Sequence, residues 1–152
     1  IYSASSLVGD IRVWEPQADH TLVLIDQIKL PRPTDNIHQS SSTGAITAAT
    51  FPKILQFIEA SKPEGRLAHL VSPVEIWKIS NQTSDAQFLG EKFKVELIFA
   101  DQGDSVSGST TGVLYGNQLL LAGEFFSDLF SAQNCFKDTS DNFSGGTVSQ
   151  EY

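Results

Sequence analysis

The chain has 152 residues, the length of one domain or of a piece of one. Hydrophobic residues make up 40% and charged residues 18%, which is a globular composition and excludes a disordered one. The formal net charge of −8 repels phosphate backbones and argues against nucleic-acid binding.

No apolar run approaches the roughly 20 residues needed to span a bilayer as a helix; the longest, Leu119 to Ala122, is strand-sized. Methionine is absent, even at position 1. The chain opens on Ile1-Tyr2, which reads as the middle of a strand, with no basic region or cleavage site before it. This is expected of an internal or C-terminal segment of a longer polypeptide, the alternative being a processed mature protein.

In chain order, Ile11 to Glu15 alternates and reads as a half-buried strand. Pro16-Gln17-Ala18-Asp19 is turn chemistry, and Thr21 to Ile28, rich in β-branched residues and Leu, is the returning strand of a hairpin. Pro31-Arg32-Pro33-Thr34 breaks regular structure. A polar stretch from Gln39 to Gly44 precedes a strand of small residues, Ala45 to Thr50. Pro52 and the helical spacing of Ile54, Leu55, Phe57 and Ile58 predict a short helix to about Ala60. Val74 to Ile79 and Phe93 to Phe99 are strands, with a loop from Asn81 to Gln87. Gly108 to Tyr115 is a strand, Gly116-Asn117 a two-residue hairpin turn, and Gln118 to Ala122 the return. Phe125 to Phe130 forms another short strand. From Lys137 the sequence is Ser/Asp/Gly-rich and predicts a flexible polar tail, 137–152.

Many short strands with little helix predict an all-β sandwich, barrel or propeller. Cys135 is the only cysteine, so it makes no internal disulfide. Asn81-Gln82-Thr83 and Asn142-Phe143-Ser144 are glycosylation candidates and lean towards the secretory pathway. A lone Cys beside such sequons fits a thiol whose partner lies outside this chain, or a free thiol.

Several ordered stretches resemble the paraoxonase/arylesterase family. These are Tyr2 to Ile28 with Ile11-Arg12-Val13-Trp14-Glu15 and His20-Thr21-Leu22; Thr34-Asp35-Asn36-Ile37; and Gly108-Ser109-Thr110-Thr111 through Tyr115-Gly116-Asn117-Gln118-Leu119-Leu120 to Gly123-Glu124-Phe125-Phe126. Their order and spacing match the family's C-terminal third, over residues 1 to 136. The resemblance implies a six-bladed β-propeller, with calcium in its central tunnel, that hydrolyses lactones, aryl esters and some phosphotriesters. A blade takes about 40–45 residues, so 1–136 would supply roughly two to three blades. The remaining N-terminal blades would be this chain's partner, and the chain alone is expected to be inactive and poorly stable. The alternatives are a non-catalytic propeller binding module, or a related propeller enzyme of the gluconolactonase or strictosidine-synthase type.

By the same resemblance, Asp35 and Asn36 are two side-chain ligands of the catalytic Ca2+, while Thr110 and Phe125 line the pocket for a small ester or lactone. Calcium takes six to eight oxygen ligands, and an Asp-Asn pair can give two. Successive strand residues face opposite sides, so this needs a loop or a distorted strand end. The competing reading is an Asx turn closing the proline-rich loop. No catalytic base is assigned: His20 reads as a solvated turn residue, His69 as a structural histidine in an apolar run, and His38 as a neighbour of Asn36 that can approach the metal. Asp101-Gln102-Gly103-Asp104 lacks the later ligands of an EF-hand and reads as a turn.

Overall fold

The computed structural model describes residues 1–82, 92–116, 118–123, 130–133 and 148–150. Three antiparallel sheets follow one another along the chain. The first holds β1 (Tyr2–Ser5), β2 (Asp10–Pro16) and β3 (Leu22–Lys29). The second holds β4 (Thr34–Gln39), β5 (Ile46–Thr50), β6 (Val74–Asn81) and β7 (Phe93–Asp101). The third holds β8 (Ser109–Tyr115), β9 (Gln118–Gly123), β10 (Phe130–Gln133) and β11 (Val148–Gln150). Within each sheet the strands lie in chain order, so every sheet is a meander.

The second sheet lies between the other two. On one face Ile46, Ala48 and Ile79 pack with Ile11, Ile28 and Leu30 of the first sheet and the segment after it. On the other, Ala49, Val74 and Ile76 pack with Leu119 and Leu121 of the third. This explains β5: all five of its residues are buried because both faces are covered, and small side chains let the neighbours approach. The approach is tight at Gly112, where an added Cβ would meet the Ile76 side chain at 3.0 Å. Thr47, one of two buried threonines in this strand, donates its hydroxyl to the Gly112 carbonyl and ties β5 to β8.

The β5–β6 connection carries two short helices, α1 (Ile54–Ser61) and α2 (Pro63–Leu67). The first matches the sequence expectation, except that Pro52 precedes it in a turn. The second was not expected: Pro63 starts it at a position that needs no amide hydrogen. The hairpin turn after β8 holds, with Tyr115 paired to Gln118 and Gly116 at φ 61°. In the segment expected as a strand from Phe125, Phe130 opens β10; residues 125–129 lie outside the described residues. In the segment expected as a polar tail, Val148–Gln150 pairs antiparallel with β10.

Candidate active site

The strand registers define one edge of the molecule. Thr34 at the start of β4 pairs with Thr50 at the end of β5, which pairs with Glu75 near the start of β6, which pairs with Ala100 near the end of β7. Asp35 and Asn36 lie at this edge. Thr34 faces Thr50 and Ile37 faces Ala48, so two residues of β4 stand opposite the single residue Ala49. That is a β-bulge, which breaks the alternation of side chains. The sequence required a distorted strand end for an adjacent Asp-Asn pair to serve one ion, and the bulge falls on that pair. The proline-rich segment before it, expected to break regular structure, gives way to strand already at Thr34.

A second bulge sits in β8. Ser109 faces Gly123 and Thr111 faces Ala122, leaving Thr110 as the extra residue. Buried Ser109 closes it, its Oγ 3.0 Å from the carbonyls of both Thr111 and Ala122. The two bulges meet: Asn36 Nδ2 donates to the Thr110 carbonyl at 3.0 Å. A carbonyl oxygen only accepts, so this bond fixes the orientation of the amide and turns Asn36 Oδ1 away from Thr110. Asp35 is half-buried and Asn36 exposed. The structure thus brings together Asp35, Asn36 and Thr110. Phe125 and Asn142 lie outside the described residues, as does Cys135. Asn81 ends β6 at the opposite edge and is exposed.

The histidines are apart from this pair in different ways. His38 lies further along β4 opposite Thr47, with its side chain exposed. His20 is exposed in the turn between β2 and β3, at φ 66°, as expected of a solvated turn residue. His69 is a correction. Its apolar neighbours suggested a satisfied structural histidine, but the run Leu67 to Val71 is the exposed exit of α2, and His69 is exposed at φ 52°. Asp101-Gln102-Gly103-Asp104 is a turn, as expected: Asp101 Oδ1 accepts the amides of Gly103, Ser105 and Val106.

Close to the bulge on β4, the Arg32 guanidinium lies 3.9 Å from Glu75, which also accepts a bond from the Trp77 indole at 3.1 Å. Sequence reasoning passed over Asp10. Its carboxylate is fully buried, with Arg12 and Lys29 at 3.8 and 3.7 Å and Gln27 Nε2 donating to Oδ2. The signal was its place beside Arg12 on one strand face, with Lys29 and Gln27 opposite.

The profile of the Arylesterase family matches residues 1–132. The chain belongs to this family. It is 26% identical over 132 residues to serum paraoxonase/arylesterase 1 of Mus musculus, covering 86% of this chain and 33% of the relative. The figures are the same for serum paraoxonase/arylesterase 1 of Homo sapiens. The chain therefore spans about a third of the length of the curated relatives it matches. Among solved structures, a Bacteroides fragilis protein assigned as a 6-phosphogluconolactonase superposes with a TM-score of 0.49 at 13% identity, over 98% of this chain and 33% of that one. Among the described residues, no helix is long and apolar enough to cross a membrane.

Proposed function

We propose that this chain is the C-terminal part of a calcium-dependent hydrolase of lactones and aryl esters, its three sheets being consecutive blades of a six-bladed β-propeller. Family membership supports the hydrolase class. The observation that carries the metal reading is the bulge at Asp35–Asn36, because it removes the geometric objection to two adjacent side chains serving one ion. A carboxylate and an amide oxygen are the hard donors that calcium prefers, so the residues present fit the ion in kind. They supply part of a shell of six to eight. Among the described residues no three His, Cys, Asp or Glu side chains cluster, so the remaining ligands would come from outside this chain's described part. Bound there, calcium would polarise the ester or lactone carbonyl and stabilise the developing oxyanion.

The chain's own residues then have defined tasks. Asp35 holds negative charge at the site. Asn36 offers Oδ1 while its Nδ2 is anchored on Thr110, so the bulge of β8 orients a ligand carried by β4. Thr110 shapes the pocket wall through the same bulge. The relatives' description as serum proteins supports a secreted protein, and Asn81, exposed at the end of β6, is a glycosylation candidate.

Calorimetric titration of calcium into the intact protein tests this reading. Asp35→Ala should weaken calcium binding by roughly tenfold or more and cut aryl-ester hydrolysis, since it removes a charge facing a dication. Asn36→Ala should weaken it less. If both variants bind calcium like the wild type and only lose some thermal stability, the pair is an Asx turn and the metal assignment fails.

A further inference from the structure

A cavity of about 350 Å³ opens on the same edge of the molecule as the Asp35–Asn36 pair, and none of Asp35, Asn36 or Thr110 lines it. Two connections build it. The β5–β6 connection contributes Arg66 and His69, and the β7–β8 loop contributes Asp104 and Ser105. The two are stitched together: the Ser72 amide donates to Ser107 Oγ at 2.8 Å, and the Gly108 amide to the Ser72 carbonyl at 2.9 Å. Gly103 sits so close that an added Cβ would lie 2.9 Å from Val71 Cβ.

Both charged walls are held in place. Arg66 Nε donates to the Ser61 carbonyl at 3.1 Å. His69 is kept in a left-handed conformation by bonds from its own amide to the Arg66 carbonyl and from the Leu70 amide to the Gly65 carbonyl. These are the two bonds that end a helix on a left-handed residue, so the exit of α2 fixes where His69 is placed. The opposite loop is fixed by the three amides gathered on Asp101 Oδ1. Leu70 and Val71 add apolar surface to the lining. One wall therefore suits an anion, the other suits a hydrogen-bond donor, and an aliphatic stretch suits the space between.

We propose that this cavity binds a short ω-hydroxy acid, with its carboxylate on Arg66 and His69, its carbon chain on Leu70 and Val71, and its hydroxyl donating to Asp104 beside Ser105. The choice of ligand rests on the hydrolase reading. Water adds its oxygen to the acyl carbon of a lactone, the ring C–O bond breaks, the ring oxygen keeps the bonding pair and takes the proton, and a hydroxy acid results. The cavity is then a product site separate from the metal ligands.

Titration of the intact protein with 5-hydroxypentanoate, followed by calorimetry and by the His69 imidazole resonances, tests the assignment. Saturable binding is expected, weakened about tenfold by Arg66→Ala and largely restored by Arg66→Lys, which keeps the charge. Asp104→Asn should weaken 5-hydroxypentanoate and leave pentanoate unchanged. Asp35→Ala should bind the hydroxy acid as the wild type does. Absence of saturable binding, an Arg66→Ala variant that binds like wild type, or equal affinity for pentanoate overturns the proposal. Tighter binding of 5-aminopentanoate also overturns it, in favour of a zwitterion site. Loss of binding in Asp35→Ala places the acid at the metal ligands and overturns it as well. Normal calcium binding in Asp35→Ala with hydroxy-acid binding intact would sink the metal reading and leave this cavity standing.

Discussion

A single hydrogen bond, from Asn36 to the Thr110 carbonyl, couples two bulges on different sheets, and the residue opposite the second bulge controls whether it can form. That residue is Gly123. A Cβ there would lie 2.4 Å from the Gly108 carbonyl oxygen and 2.7 Å from Ser109 Cα, both backbone atoms that cannot swing aside. Gly123→Ala must therefore push the start of β8 away from β9 and take Thr110 with it. Overpacking of this kind costs roughly 1–3 kcal/mol. The expected outcome is a lower melting temperature together with weaker calcium binding. Gly116→Ala is the control: its φ is 61° but nothing lies within 4 Å of the added methyl. It should cost about 1 kcal/mol from backbone strain alone and leave calcium affinity as it was. Equal calcium affinity in both variants would show that the second bulge does not position the Asp-Asn pair.

Between elements, the first and second sheets are joined at their rim by Lys92, just before β7, and Asp26 of β3, 2.6 Å apart. The Lys92 hydrogen bond, and after it the Gln27 amide, hold the Asp26 carboxyl below its ordinary range. A carboxyl lowered in the folded state stabilises above its unfolded value near 4, and that contribution is lost as pH falls through the lowered folded value. Lys92 is 44% exposed, so solvent screening limits the pair to below about 1 kcal/mol. Lys92→Met should lower the melting temperature slightly at neutral pH, and the difference should shrink as pH falls through the lowered Asp26 value. A difference that persists at low pH would assign the effect to the lysine's packing instead. The strands themselves were legible: β2, β3, β5, β6, β7, β8 and β9 follow from alternation, β-branched runs and the Gly116 turn. What the sequence hid has physical causes. At β4, two prolines just before the strand and an Asp-Asn pair within it carry loop chemistry, yet pairing to β5 imposes strand and the bulge absorbs the misfit. Gly65 obscures α2, although the glycine is there because a Cβ would fall 2.0 Å from the Glu59 carbonyl oxygen. His69 was misread because an apolar run at a helix exit looks the same, residue by residue, as one inside a core. The Asp35–Asn36 pair was visible as a motif, whereas its coupling to Thr110 depends on a contact 74 positions along the chain that no local pattern encodes.

Across the whole molecule, stability and solubility turn on surfaces that the three sheets leave uncovered. β3 is an edge strand of the first sheet, and it presents Leu22, Val23, Leu24 and Ile25 at 47–52% exposure. Four consecutive apolar residues on an edge strand form a template for pairing with another chain. The acidic net charge of −8 opposes association at long range, but salt screens it at about 10 Å in 0.1 M solution. The 152-residue chain expressed alone should therefore self-associate as protein and salt concentrations rise, with an apparent mass that grows in size-exclusion chromatography with light scattering. Val23→Lys places a charge on the edge, a device that blocks strand addition, at an exposed position with little packing to lose. It should shift the chain towards monomer at equal concentration while the far-ultraviolet circular dichroism stays that of the wild type. A wild-type chain that remains monomeric at high salt would show that β3 is protected by something other than charge. A Val23→Lys chain that associates as strongly as the wild type would move the association to another edge, of which the outer side of β1 is the next candidate.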